Sequence, residues 1–231
     1  MRRVFISEQS NDMVKAYLYE KGYMVCEIRR TSAVYPSVAS HPDIYLCNLG
    51  NELVMAKEQL PFIEEQLGPD FNYYPGATPL GYKYPHNVKY NAVRLGHFFI
   101  HNFKLTDPFL LSLAEEKGLR LIPVKQGYTK CNLVVVDEQS VITSDLGLKK
   151  ALEPYGIKVL TVSQGHVKLT GFDYGFLGGA SGRVGREIIF HGNLAMHPDY
   201  GVIKEFIEGR SLTIKYFKEF PLEDIGSIIE Y

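Results

Sequence analysis

Three cysteines are the most nucleophilic side chains of this sequence: Cys26, Cys47 and Cys131. Their number is odd and their spacing irregular, so they form neither a disulfide framework nor a zinc site. Cys131, in YTKCNLVVV, is predicted to begin the first strand of a hairpin and is the thiol best placed for nucleophilic catalysis. Its neighbour Lys130 would face the other side of that strand, so its charge need not activate the thiol. A buried, inert Cys131 is the alternative, and Cys26 and Cys47 are predicted to pack inside strands.

Two histidines, His41 and His191, are candidate general bases, because the pKa of a histidine is readily tuned near neutrality. The tripeptide HPD, which contains His41, recurs at 197–199, where it is predicted to open a helix. His97 and His101 stand four positions apart and can share one face of a strand, but no third metal ligand can be named. The sequence therefore predicts no metal site and no cofactor.

Four polar residues occupy similar early positions in the predicted hairpins: Asp43, Asn91, Asn132 and Asp173. Side chains at repeated positions can surround a pocket on the axis of a repeat protein. Carboxylates in such a pocket can bind a guanidinium group through two parallel hydrogen bonds. The alternative is that these residues close turns or cap the ends of strands.

A loop rich in small residues, YGFLGGASG, spans positions 174–182. It matches neither the dinucleotide-binding turn nor the phosphate-binding loop that ends in Lys-Ser/Thr, and it leads into the strand-like run REIIF rather than into a helix. Phosphate binding is therefore the weaker interpretation. The stronger one is a turn that brings backbones close together and lines a pocket with Gly178, Gly179 and Ser181.

A repeated pattern of capped helix, glycine and strand organises the chain. Asn or Asp precedes a glycine by eleven positions at Asn11–Gly22, Asp107–Gly118 and Asp145–Gly156. The first residue can cap the helix and the glycine can adopt the left-handed conformation after its last turn. Looser copies end at Gly68 and Gly209, and predicted hairpins precede all the helices except the first.

The repeats predict a single α/β domain of about five ββαβ units, of which the first is incomplete. The approximate units are 1–38, 39–82, 83–128, 129–168 and 169–231. Arranged around a central axis as an α/β propeller, with strands inside and helices outside, they would leave no exposed sheet edge. An open α/β sheet with irregular insertions is the alternative.

The overall charge and hydropathy exclude several classes of partner. The formal net charge is −1 over 231 residues, so no broad positive field favours nucleic acid or an anionic membrane. The N-terminal stretch does not resemble a signal peptide, and no apolar window is long enough to span a membrane. The few, scattered cysteines predict a cytoplasmic protein. We expect it to be either a monomer or a homodimer.

The repeats resemble those of the pentein superfamily over nearly the whole chain. The motifs HPDI, GYTKCN, ITSD, GFLGGASG and FHGN…HPDY are also similar to those of an uncharacterised bacterial family with this fold. The superfamily includes arginine and agmatine deiminases, dimethylarginine hydrolases, amidinotransferases and a ribosome-binding initiation factor without enzymatic activity. The resemblance implies a pentein-like fold and a small guanidino or amino-acid-like ligand.

The sequence departs from the catalytic pattern that this resemblance implies. Pentein hydrolases typically carry a nucleophilic cysteine in the last unit, after a Gly-Gly loop, and commonly a Gly-His-x-Asp motif in a middle unit. Here no cysteine follows Cys131, Ser181 is the hydroxyl nearest to the comparable loop, and GHVK has Lys168 in place of the aspartate. We therefore expect a small-molecule-binding protein. A hydrolase or transferase acting on guanidino or amidino C–N bonds would use Cys131, with His41 or His191 as base; the alternative is a non-catalytic binding or protein-interaction module.

Overall fold

The computed structural model describes residues 2–68 and 70–231, which form fifteen strands and seven α-helices. The strands are β1 (Arg3–Ser7), β2 (Met24–Ile28), β3 (Leu46–Asn48), β4 (Leu53–Met55), β5 (Tyr74–Pro75), β6 (Val93–Leu95), β7 (Phe98–His101), β8 (Arg120–Pro123), β9 (Val134–Asp137), β10 (Ser140–Thr143), β11 (Lys158–Thr161), β12 (Ser181–Val184), β13 (Glu187–Phe190), β14 (Thr213–Lys215) and β15 (Ile229–Glu230). The helices are α1 (Asp12–Glu20), α2 (Pro42–Tyr45), α3 (Leu60–Leu67), α4 (Pro108–Glu116), α5 (Thr129–Asn132), α6 (Leu146–Leu152) and α7 (Tyr200–Glu208). In these residues, no helix has both the length and the apolar character needed to cross a membrane.

The strands form five small sheets that share one topology. In each sheet an antiparallel pair is followed by a third strand that is parallel to the middle one. A helix connects the middle and third strands, as expected for a parallel crossover. The connecting helices are α1, α3, α4, α6 and α7. The structure is therefore a mixed α/β fold of five ββαβ-like units.

The first unit obtains its missing strand from the other end of the chain. β15 pairs antiparallel with β1, and Val4 lies opposite Glu230 in the register. Arg3 and Tyr231 exchange two backbone hydrogen bonds, both of 2.8 Å. This pairing covers the edge of β1 that would otherwise present unpaired N–H and C=O groups.

Helix boundaries follow the predicted capping pattern in three units. The side chains of Asn11, Asp107 and Asp145 accept backbone N–H groups at the starts of their helices. Gly22, Gly118 and Gly156 have positive φ angles at the helix ends. Residues four positions apart on these helices are buried together, such as Leu110 with Ala114 and Leu148 with Leu152, as expected for one apolar helical face.

The connecting helix of the last sheet, α7, departs from this pattern at both ends. Asp199 precedes α7, but its side chain makes no capping bond to the helix, because its carboxylate accepts the N–H of Ser163 at 2.6 Å. Gly209 stays right-handed with φ of −61°, and the positive φ angle falls instead on Ser211.

Three hairpins begin differently from their prediction. In two of them the first residues form the short helices α2 and α5, so that Asp43 and Cys131 lie on helical turns. The prediction that Cys131 begins a strand is therefore wrong. Pro42 suits the first turn of α2, where a backbone N–H would have no helical partner. In the last hairpin, residues 171–180 are turns and irregular backbone, and the first strand begins only at Ser181.

The helix caps at Asp107 and Asn11 predict very different losses of stability when the capping side chain is removed. Asp107 is fully buried and also accepts hydrogen bonds from the N–H of Ala77 and from the N–H and hydroxyl of Thr78, at 3.2, 2.9 and 2.8 Å. The Asn11 side chain makes only the exposed local bond to Met13. We expect Asn11→Ala to lower the free energy of unfolding by about 1 kcal/mol and Asp107→Ala by roughly 3 kcal/mol.

Urea denaturation of the two variants and the wild type measures both values. Equal losses in the two variants would contradict a role for Asp107 in joining α4 to the segment around Thr78.

Candidate functional site

A buried polar cluster lies where the first strands of the sheets begin. Asp43, Asn91 and Cys131 stand two or three residues ahead of β3, β6 and β9, and Ser227 stands two residues ahead of β15. Gly178 and Gly179 occupy the corresponding place ahead of β12. Five units thus contribute to one site, and two of the four polar residues predicted to surround a pocket, Asp43 and Asn91, are brought together there.

Hydrogen bonds join these side chains into one network. Oδ2 of Asp43 accepts the Ser227 hydroxyl at 2.7 Å and the Cys131 thiol at 3.1 Å. Nδ2 of Asn91 lies 3.0 Å from Sγ of Cys131 and donates to the carbonyl oxygen of Asp43 at 3.0 Å. Oδ1 of Asn91 accepts the N–H groups of Lys130 and Cys131. The network therefore links α2, α5 and the C-terminal segment.

Lys130 takes part in this network, contrary to the prediction that it faces away from it. Its Nζ donates to the Ser227 hydroxyl at 3.0 Å. The prediction was wrong because residues 129–132 form a helical turn, in which neighbouring side chains do not alternate between two faces. Burial lowers the pKa of Lys130, while the nearby Asp43 carboxylate opposes that shift. Burial also raises the pKa of Asp43.

The Cys131 thiol lacks the environment of an activated nucleophile. Only 3% of the residue is exposed. Burial, reinforced by the negative charge of Asp43, raises its pKa well above the usual value, so the thiol stays protonated at neutral pH. Cys26 and Cys47 are buried in strands as predicted, and burial raises their pKa values to about 11 and about 12.

The glycine loop acts by close backbone approach. A Cβ atom on Gly178 would collide with the carbonyl oxygen of Cys131, and one on Gly179 would collide with the carboxylate of Asp224. The N–H of Gly179 donates to Cys131 at 2.8 Å, and its carbonyl oxygen accepts the N–H of Ser227 at 2.7 Å. The loop therefore holds α5 against the C-terminal segment, in agreement with the close-approach interpretation of this sequence.

Ser227, rather than Ser181, is the hydroxyl of the last unit that reaches the network. Ser181 is buried in β12, and its Oγ lies 3.4 Å from the carbonyl oxygen of Gly178. Ser227 has a φ angle of 71°, which is uncommon for a residue other than glycine, and follows Gly226 at 77°. A signal for Ser227 was present in the sequence, because it directly precedes the short run IIEY as Asn91 directly precedes AVRL.

A polar cavity of about 330 Å³ lies beside the network and is lined by His41, Asp224, Glu223 and Arg30, among others. The N–H groups of Phe176 and Gly226 donate to the Asp224 carboxylate at 2.9 and 3.0 Å. Burial nevertheless raises the pKa of Asp224 to about 6. Nδ1 of His41 lies 3.7 Å from Asp224, and burial lowers the pKa of His41 to about 4, so its ring is neutral at pH 7.

Two further groups bring opposite charges into this cavity. Glu223 pairs with Lys168 at 3.4 Å. No carboxylate of the described residues lies within 4.0 Å of the Arg30 guanidinium. The cavity therefore presents carboxylates and an unpaired guanidinium to the same small volume.

Other predicted site residues lie outside the network. His191 accepts the N–H of Asn11 at 3.0 Å, and its ring packs against Phe220. Asn132 donates to the carbonyl oxygen of Tyr128, four residues earlier, and Asp173 is exposed.

The two histidines of the third hairpin do not share a strand face. His97 lies in the turn, whereas His101 is buried in β7 and hydrogen-bonds to Thr106 and Gly127. Within residues 2–68 and 70–231, no group of three His, Cys, Asp or Glu side chains could hold a metal ion.

The fold matches those of several solved structures over 94% of the chain. DDAH from Pseudomonas aeruginosa, a cysteine-to-serine mutant complexed with citrulline, has a TM-score of 0.60 at 8% identity, covering 94% of this chain and 91% of that chain. A dimethylarginine dimethylaminohydrolase adduct with 4-chloro-2-hydroxymethylpyridine has a TM-score of 0.58 at 9% identity, covering 94% and 92%. ArgZ, an arginine dihydrolase from the ornithine-ammonia cycle in cyanobacteria, has a TM-score of 0.55 at 12% identity, covering 94% of this chain and 36% of that chain.

These likenesses define the fold as that of the pentein superfamily, as the repeats predicted. The model of the family described as "Family of unknown function (DUF6873)" matches residues 5–229, so the chain belongs to this family. No curated protein matches this chain.

The burial of the thiols predicts that none of them reacts readily in the native protein. We expect less than one thiol per chain to react with iodoacetamide within an hour at pH 7.5, and all three after unfolding in guanidinium chloride. Mass spectrometry counts the modified cysteines. Rapid, stoichiometric labelling of native Cys131 would contradict an inert thiol, and Cys131→Ala serves as the control that assigns the reaction.

The histidines whose pKa values burial lowers most predict a loss of stability in acid. Burial lowers the pKa values of His41, His101 and His191 to about 4, whereas an unfolded histidine titrates near 6.5. Between these values the unfolded chain binds more protons, so the free energy of unfolding falls as the pH decreases from about 6.5 to about 4. Asp224 opposes this trend, because its raised pKa means that the folded state takes up its proton first.

Urea denaturation at intervals from pH 4.5 to 6.5 measures this slope. His101→Gln should reduce it by about 1.4 kcal/mol per pH unit, the value for one proton. The exposed His86→Gln is the matched control. An unchanged slope in His101→Gln would mean that His101 does not stay neutral in the folded protein.

Proposed function

We propose that this protein binds a small guanidino or amino-acid-like compound in the cavity beside His41 and Asp224. The observation that carries the proposal is the presence of both charge signs in that cavity, where Asp224 and Glu223 line the same space as Arg30. A carboxylate can bind a guanidinium through two parallel hydrogen bonds, and Arg30 can bind the carboxylate of an amino acid in the same way. The cavity volume of about 330 Å³ suits a ligand of this size.

The fold supports this choice of ligand class. One solved structure with this fold holds citrulline, and another is an arginine dihydrolase. The five similar sheets and the pairing of β15 with β1 favour an α/β propeller of five units around an axis, with the polar network at its centre. A monomer or homodimer in the cytoplasm remains our prediction from the sequence.

The network favours binding over catalysis by Cys131. The thiol is enclosed by Asn91 and Asp43, and its raised pKa removes the thiolate that a nucleophilic mechanism needs. His41 and His191 are not among its hydrogen-bond partners in the described structure. Cys131 therefore serves to position Asp43 and Asn91.

A separate observation supports hydrolysis as the second candidate function. The Ser227 hydroxyl lies 3.0 Å from Nζ of Lys130, which burial biases towards the neutral form. A neutral lysine can accept the hydroxyl proton while the serine oxygen bonds to the guanidino carbon, as in serine–lysine pairs. The lysine then returns this proton to a guanidino nitrogen, whose C–N bond breaks to release ammonia, and water cleaves the serine–carbon bond to give the ureido product and restore the hydroxyl. The left-handed backbone of Ser227 adds to this argument, because such strain clusters at active sites.

Binding of L-arginine, L-citrulline and agmatine by isothermal titration calorimetry tests the proposed function. We expect Asp224→Asn and Glu223→Gln to weaken the binding of arginine and agmatine at least tenfold. Arg30→Gln should weaken arginine and leave agmatine unchanged, because agmatine has no carboxylate. Arg29→Gln is the matched control, since Arg29 already pairs with Glu8 and Glu27. Failure of all three compounds to bind the wild type would overturn the proposal.

Ammonia and urea release from the same compounds separates the two candidates. Binding without turnover supports a binding protein. Turnover that persists in Cys131→Ala and vanishes in Ser227→Ala supports the serine hydrolase.

A further inference from the structure

A second cavity, of about 240 Å³, is formed by residues from five strands, one from each sheet: β3, β6, β9, β12 and β15. It shares no lining residue with the cavity beside His41 and Asp224. We infer that this strand-lined cavity is a separate binding site for a small oxyanion, either an organic carboxylate or a phosphate.

Positive charge dominates the lining of this cavity. Arg94, Arg183 and Lys130 border it, and Glu230 is the one acidic residue in its lining. The Glu230 carboxylate already accepts the N–H of Gly185 at 2.7 Å and pairs with Arg2 at 3.2 Å. The guanidinium groups of Arg94 and Arg183 are therefore not neutralised by the acid beside them.

Backbone contacts hold the two arginines in place without using up their charge. Nε and Nη1 of Arg94 donate to the carbonyl oxygens of Gly96 and Leu49 at 3.0 and 2.5 Å. Nε of Arg183 donates to the carbonyl oxygen of Gly185 at 3.3 Å. Across the described part of the chain, neither guanidinium has a carboxylate within 4.0 Å. Fixed guanidinium groups with unused N–H donors suit a planar or tetrahedral oxyanion.

An adjoining groove on the surface shares Arg94 and Arg183 and adds Asp137 and Glu138. Asp137 pairs with Arg210 at 3.3 Å, so its charge is directed to another partner. Glu138 is exposed, where its repulsion of an anion is screened by solvent. These two acids therefore leave the positive character of the cavity in place.

The remaining walls define the rest of the ligand. Val93, Val135, Ile228 and Ile229 line the cavity together with Cys47. Lys130 lies in the same lining, and its Nζ donates to the Ser227 hydroxyl of the polar network. The site therefore suits a compact anion whose uncharged part contacts apolar side chains.

Calorimetric titration with sodium butyrate and with inorganic phosphate, at constant ionic strength in chloride, tests this inference. At least one of the two anions should bind the wild type. Arg183→Gln and Arg94→Gln should each weaken that binding at least tenfold, and Arg94→Lys, which keeps the charge, should lose less than Arg94→Gln. Arg186→Gln is the matched control, because Arg186 lies on the same hairpin as Arg183 but outside the cavity lining.

The outcomes separate the sources and the two sites. Binding of butyrate alone identifies an organic carboxylate, and binding of phosphate alone identifies a phosphate. Arginine binding beside Asp224 should be unchanged in Arg183→Gln. Absence of binding by both anions, or an equal loss in Arg186→Gln, would overturn the inference.

Discussion

The buried carboxylate of Asp43 is the constraint on which the centre of this molecule depends. A charged or polar group without access to water is costly unless hydrogen bonds and opposite charge compensate for it. Here the compensation comes from Ser227, Cys131 and Lys130, which belong to other units of the chain. The hydrogen bonds to Oδ2 of this one carboxylate therefore fix how α2, α5 and the C-terminal segment meet.

This constraint also explains why the polar centre favours binding over thiol chemistry. The groups with catalytic potential are engaged with one another, and the Cys131 thiol remains protonated. The charged groups of the neighbouring cavity remain available to a ligand. Backbone N–H groups hold the Asp224 carboxylate in place, and no carboxylate lies close to Arg30 in the described structure. In the proposed function, ligand recognition and the stability of the centre thus belong to adjacent but different side chains.

Glycine makes this arrangement sterically possible. Gly178 and Gly179 allow the loop ahead of β12 to contact Cys131 and Asp224 at distances that a side chain would prevent. The same loop receives the backbone N–H of Ser227, so it carries the last strand to its place beside β1. Close backbone approach, rather than phosphate binding, accounts for the small residues of this loop.

The sequence by itself predicted the repeated units and the helix caps at Asn11, Asp107 and Asp145, and it placed Asp43 and Asn91 in a set of four polar residues of which only these two meet. Each follows from residues within one unit and from the regular spacing between units. Only the tertiary structure decided that β15 completes the first sheet and that Ser227 and Lys130 join the network. Ser227 and Asp43 are 184 positions apart, so no local pattern could relate them. Their contact exists because burying the carboxylate requires donors, and folding brings those donors from the other end of the chain.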